Sequence, residues 1–203
     1  MRRFLMTAML VLPMVALSVP SIASGDTYMI DGAHTAVNFK VKHMMVSWVR
    51  GKFGDTTGTV QYDPANPEAT VVDVTIDVSS IDTRNGKRDD HLRSADFFDV
   101  ENNPQARFTS KRVIRKTNGD LELIGDLTIR GTTREVALAV DAPSAPMMHP
   151  MGGTVVGFHA TTVIDRQDFG LTWNMALETG GLMVGNEVHL EIDAEIMKKA
   201  PAK

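Results

Sequence analysis

The sequence predicts an all-β fold of eight antiparallel strands, a barrel or a sandwich, with one short helix between the third and fourth strands. Three observations carry this reading. From Thr27 onward, apolar residues recur with period two. Turn-forming residues punctuate that alternation at short intervals. The outward faces of the first and last strands carry opposite charges, which suits two strands that meet and close a barrel.

In the first strand Val37, Phe39 and Val41 alternate with Asn38, Lys40 and Lys42. A second run covers 53–62, and Asp63-Pro64-Ala65-Asn66-Pro67 ends it as a turn. The third strand alternates Val72, Val74, Ile76 and Val78 with Asp73, Thr75 and Asp77. The helix falls between Gly86 and Ala95, with Asn85 as its cap and Asp89 four residues before Arg93. A fourth strand runs over 105–115, and the Asn118-Gly119 pair turns it into a fifth. There Leu121, Leu123, Leu127 and Ile129 oppose Glu122, Asp126 and Thr128. Gly131-Thr132-Thr133 turns the chain into a sixth strand with Val136, Leu138 and Val140. The seventh covers 154–165. The eighth sets Val188, Leu190, Ile192 and Ile196 against Glu187, Glu191, Asp193 and Glu195. One polar face per strand is the pattern of an antiparallel sheet with water on one side. Asn38, Lys40 and Lys42 should then lie beside Glu187, Glu191 and Asp193, where opposite charges across a pair contribute about 0.2–1 kcal/mol each.

Residues 1–23 read as a cleaved secretory signal peptide. Arg2 and Arg3 precede an apolar stretch broken by Pro13, and Ser21-Ile22-Ala23 offers small residues at a cleavage site. The expectation is a single exported domain over 24–203, periplasmic in a Gram-negative cell and without a stable membrane anchor. Every later apolar run is too short to span a bilayer. Zero cysteines among 203 residues exclude disulfides, thiolate metal sites and thiol nucleophiles. The formal net charge is −4. Without Arg2 and Arg3 it becomes −6, with 19 basic residues against 25 acidic. Nothing here favours nucleic acid as a partner.

No motif supports catalysis. A Gly-x-Ser-x-Gly elbow, His-Glu-x-x-His and a Gly-rich phosphate loop are all absent, and the six histidines are scattered. Met147-Met148-His149-Pro150-Met151 is the strongest metal signal. Soft thioethers suit Cu(I), so a copper-handling or redox-accessory role is the alternative to ligand binding. A flexible loop or an apolar rim explains the same residues. Arg84, Lys87 and Arg88 at the start of the helix suit either a polar headgroup or a charge network that holds the helix in place. Asp165-Arg166 reads as a charged turn in which the two side chains pair.

Several segments together resemble the YceI-like family of exported polyisoprenoid-binding proteins. They are Ile30-Asp31-Gly32-Ala33-His34-Thr35 with Phe39-Lys40-Val41-Lys42-His43; Ser80-Ile81-Asp82-Thr83; Arg88-Asp89-Asp90-His91-Leu92; and Ser94-Ala95-Asp96-Phe97-Phe98-Asp99-Val100 with Pro104 and Phe108. Gly125-Asp126-Leu127-Thr128-Ile129-Arg130-Gly131-Thr132-Thr133 and Asp165-Arg166 with Asp168-Phe169-Gly170-Leu171 complete the set, which covers nearly all of 27–197. The methionine-rich loop lies outside the pattern.

The resemblance implies a lipocalin-like barrel around an elongated apolar cavity. It implies binding of an isoprenoid or fatty lipid without chemistry and without any cofactor besides the lipid, and it allows a homodimer. On that basis Val37, Phe39, Val41, Val74, Ile76, Phe108, Leu123, Leu127, Leu138 and Leu190 should face the interior. Phe97 and Phe98 should cover one mouth with the helix. His43, Arg84, Lys87 and Arg88 are the other rim or headgroup candidates.

Overall fold

Seven of the eight strands predicted from period-two alternation join a closed ring, whose eighth member precedes the first predicted strand. The computed structural model describes residues 25–178 and 180–198, so the expected signal peptide lies outside the described residues. The strands are β1 (Asp26–Ile30), β2 (Ala36–His43), β3 (Ser47–Phe53), β4 (Thr56–Tyr62), β5 (Val71–Asp77), β6 (Ile81–Asp82), β7 (Gln105–Arg115), β8 (Leu121–Ile129), β9 (Thr132–Val140), β10 (Met147–Met148), β11 (Thr154–Asp165) and β12 (Val184–Lys198). Eight of them form the closed antiparallel circuit β1-β4-β5-β7-β8-β9-β11-β12, with β12 returning to β1. The remaining long pair, β2 and β3, continues along the edge of β12 and carries β6 at its margin.

The strand predicted over 37–42 is β2 and the run over 53–62 is β4 with the end of β3; β1 and most of β3 were not predicted, and a bend joins each to the strand that follows it. Between β1 and β2, the Asp31 carboxylate accepts from the Ala33 amide at 3.0 Å, and the Asp31 amide donates to the Glu195 carbonyl at 2.9 Å. Between β3 and β4, the amides of Gly54 and Asp55 both donate to Ser80 Oγ, at 3.1 and 3.2 Å. These acceptors, the Asp31 and Ser80 side chains and the Glu195 carbonyl, replace ladder partners, so the strands bend without stranding backbone donors. Gly58 is required on β4. Its φ is +154°, and a Cβ there would come within 2.3 Å of the Asp73 carbonyl oxygen on β5.

The helix α1 spans Gly86–Arg93, and the Asn85 side chain accepts from the Arg88 amide. Its attachment runs through Thr83 rather than through ion pairs between helix side chains. Arg88 Nε donates to Thr83 Oγ1 at 2.7 Å, and the buried Asp89 carboxylate accepts from the Thr83 amide and hydroxyl. Arg93 adds donors to the Ser79 and Ile81 carbonyls, both at 2.9 Å.

The first and last predicted strands are neighbours, with Lys40 opposite His189 and Asn38 opposite Glu191. The expected ion pairs between their faces do not form among the described residues. The ammonium groups of Lys42 and Lys40 lie 4.3 and 5.3 Å from the Trp48 ring centroid, and Asp193 pairs with His159 of β11 at 2.8 Å. Register explains this. Lys42 stands directly opposite Trp48, whereas the acidic row meets β2 only at Asn38 and Ala36.

Candidate functional site

The inward faces of the ring enclose an apolar cavity of about 160 Å³. Two packed clusters bracket it. Toward α1, Phe97, Phe169 and Leu171 pack with Leu92, Phe98 and Trp173. Phe97 and Trp173 have ring centroids 5.2 Å apart, with His91 edge-on to both. At the other end Tyr62 stands edge-on to Tyr28 and Phe158, at 6.3 and 5.3 Å.

Between the clusters, Val74, Ile76, Leu123, Val136, Leu190, Ile192 and Ala194 line the void and are only partly buried although they point inward. Aliphatic side chains left short of full packing forgo dispersion contacts with one another. The interior is therefore a pocket rather than a solid core. At about 160 Å³ it is below the roughly 300–1,000 Å³ of typical small-molecule sites. A long chain must displace side chains to enter.

The predicted interior residues divide. Val37, Val74, Ile76, Phe108, Leu123, Leu127, Leu138 and Leu190 all line the cavity. Phe39 and Val41 do not. The Phe39 ring lies across Gly51 and stacks on Phe53 at 5.6 Å, and Val41 pairs with Val188 and Val49 beyond the cavity. Thr35 and Ala194, small or polar positions of inward parity in the sequence, line it as well; lining residues not named from sequence include Phe158, Ala160, and two further threonines, Thr56 and Thr70. Their period-two parity was visible; the void beside them was not.

The rim candidates also divide. Phe97 is buried against Trp173, and Phe98 packs edge-on to Phe53 at 5.8 Å, so both rings sit at the α1 end of the interior. Arg88 is consumed by Thr83, and Lys87 is exposed on the helix. Arg84 lines a separate open groove of about 730 Å³, together with Lys40, Arg50, Lys52, Asp82 and Glu191. His43 ends β2 opposite Ser47 and lies away from the cavity.

Met147, Met148 and Met151 are exposed, at the opposite end of the barrel from α1. His149 Nδ1 accepts from the Met151 amide at 3.1 Å, so one imidazole nitrogen is engaged within the turn. Among the described residues, two other groups bring three metal-type donors within 4.8 Å of one another: Asp31, His34 and Glu195, and His159, Glu191 and Asp193. Both lie on the outer face of β12, away from the apolar cavity. One imidazole with two carboxylates suits a borderline divalent cation, but in each group the histidine is already hydrogen-bonded to a carboxylate.

The Asp193 carboxylate holds the His159 imidazole above its ordinary value of 6.5, against a smaller opposing effect of burial. A raised folded-state value means that this pair contributes stability fully below the unfolded value, and that the contribution is lost as pH rises through the folded one. The stability difference between the natural protein and a His159→Gln variant should therefore be largest below about pH 6 and fade at alkaline pH. Urea unfolding across that range checks it; a difference that grows with pH contradicts it.

Comparisons with known proteins agree with this architecture. The model of the YceI-like domain matches residues 28–196. A UPF0312 protein of Vibrio cholerae is 41% identical over 157 residues, covering 76% of this chain and 82% of that one. Among solved structures, BcnA of Burkholderia cenocepacia superposes with a TM-score of 0.70 at 25% identity, covering 82% of this chain and 98% of that one. A polyisoprenoid binding domain from Saccharophagus degradans superposes at 0.61 with 16% identity, covering 86% and 98%, a likeness of fold alone.

Proposed function

This chain belongs to the YceI-like family, and from that premise we propose that it binds one polyisoprenoid or similar long-chain lipid inside the barrel, as a periplasmic carrier or sequestering protein that performs no chemistry. The observation that carries the reading is the incompletely filled interior, lined almost wholly by aliphatic and aromatic side chains. Its three threonines present no polar surface to the void. Such a pocket recognises a hydrocarbon by area and shape and offers no group positioned for acid–base or nucleophilic work. The polyisoprenoid binding domain from Saccharophagus degradans, which has the same fold, supports the choice of lipid class. The basic, apolar and small-residue sequence of segment 1–23 supports export.

Lipid entry next to Phe97 and Trp173 would change the surroundings of the Trp173 indole. Titrating a Trp48→Phe variant with a long-chain polyprenol in mild detergent should give a saturable fluorescence change at one lipid per chain. A linear, unsaturable change would overturn the proposal.

A further inference from the structure

We propose that the tip of the β2–β3 hairpin docks on an anionic phospholipid bilayer. The docking serves the lipid-binding reading and rests on it for its purpose. Its geometry is independent of the cavity.

The hairpin departs from the character of the whole chain. Residues 36–53 contain Lys40, Lys42, Arg50 and Lys52 and no aspartate or glutamate, in a protein whose net charge is −4. At its apex Met44, Met45 and Val46 are 41%, 65% and 80% exposed. The Val46 amide donates to the His43 carbonyl at 3.0 Å, so Met44 and Met45 are the central pair of a tight turn, with φ of 51° and 58°. Those are positions that asparagine and glycine occupy with least strain. Folding alone gives no reason to hold two methionines there, in water, in left-handed backbone.

A second loop enlarges the apolar tip. The Met44 amide donates to the Met183 carbonyl at 2.8 Å, and the Met183 amide to the Met175 carbonyl at 2.9 Å. Met175 and Leu182, both largely exposed, thereby join the apex. Behind it stands Trp48, half-buried, with the Lys42 and Lys40 ammonium groups near its ring. An apolar tip, then an indole, then a basic ring is the order of groups across a membrane interface: hydrocarbon, headgroup, anionic surface. The nearby acids set the orientation. Glu178 sits in the second loop, Asp165, Asp168 and Glu187 lie on the neighbouring strand ends and turn, and Glu191 and Asp193 lie farther along β12. Repelled by an anionic surface, they leave the hairpin as the face that approaches it.

The test is co-sedimentation of the full chain with vesicles of phosphatidylglycerol and phosphatidylcholine, and with vesicles of phosphatidylcholine alone, both free of isoprenoid. The natural chain and its variants carry the same N-terminus. Binding should favour the anionic vesicles and weaken with salt. Lys42→Glu with Arg50→Glu should lower partitioning about tenfold or more, and Met45→Ser with Val46→Ser should lower it as well. Polyprenol titration in detergent should be unchanged by either pair. Equal binding to both vesicle types, or variants that partition like the natural chain, would overturn the docking; a protein surface as partner would give that result. Because the vesicles hold no isoprenoid, a failure of the cavity reading would leave this assay untouched, and a failure of docking would leave the detergent titration saturable.

Discussion

Replacing Arg166 with methionine should lower the unfolding free energy by about 3 kcal/mol or more, the largest effect expected of any single substitution outside the cavity. Arg166 is 4% exposed. Its guanidinium donates to the carbonyls of Gly185 at 2.9 Å, Trp173 at 3.0 Å and Val184 at 3.4 Å, and to that of Leu171. Burial pushes its pKa down, with Asp165 pulling the other way, yet an arginine stays charged in proteins. The cost of desolvating that charge is offset by a fan of carbonyls from the two ends of one loop. Methionine fills similar space and leaves those acceptors without a donor.

Lysine in the same place keeps the charge but lacks the planar fork that reaches several carbonyls at once, so Arg166→Lys should recover only part of the loss. Urea unfolding measures both. The segment from Leu171 to Gly185 would then keep the Asn174 side chain, whose amide donates to the Val184 carbonyl at 2.7 Å and accepts from its amide at 3.0 Å, and the bond from the Met44 amide to the Met183 carbonyl. A loss below about 1 kcal/mol for methionine would mean that water replaces the guanidinium, and that this end of the barrel is wetter than the packing of Phe169 and Leu171 implies.

The second large effect concerns the interior itself. Ala194→Phe should reduce polyprenol affinity at least tenfold while leaving the lipid-free protein as stable as before, or more stable by about 0.5–2 kcal/mol. Ala194 lines the void directly opposite Phe158 of β11. A phenyl ring there occupies space that no protein atom fills and takes it from the ligand. The two signs together are diagnostic. In a close-packed core the same change would overpack and destabilise by about 1–3 kcal/mol. Paired measurement of binding and of urea stability separates a pocket from a core, which sequence cannot do, because either environment selects aliphatic residues of the same parity.

That limit is visible in particular residues. Val74 and Val41 have the same inward parity in sequence. One borders the cavity and the other lies past it, because β2 runs along β12 beyond the reach of the cavity. Seven of the eight ring strands were legible, since period-two alternation is a local property, and so was the Asn85 cap. The bends at 31–35 and 54–55 were not, because they depend on acceptors such as Glu195 and Ser80 that are distant in sequence. The lysines of β2 were read as partners of the acidic row, and register gave them Trp48 instead. Arg166 was read as one half of a charged turn. Its burial follows from the segment 171–185 folding back over it, a tertiary event with no signature in the neighbouring residues.

Lipid binding is tested most directly by what occupies the barrel. The protein should be expressed with its N-terminal segment in a bacterial host, purified without detergent, extracted with organic solvent, and the extract analysed by lipid mass spectrometry beside an identical preparation of Ala194→Phe. The expected result is one long-chain isoprenoid or similar lipid at near-stoichiometric yield from the natural protein and a marked loss from the variant. Extracts free of lipid from both proteins, with polyprenol failing to saturate the purified chain, would contradict it.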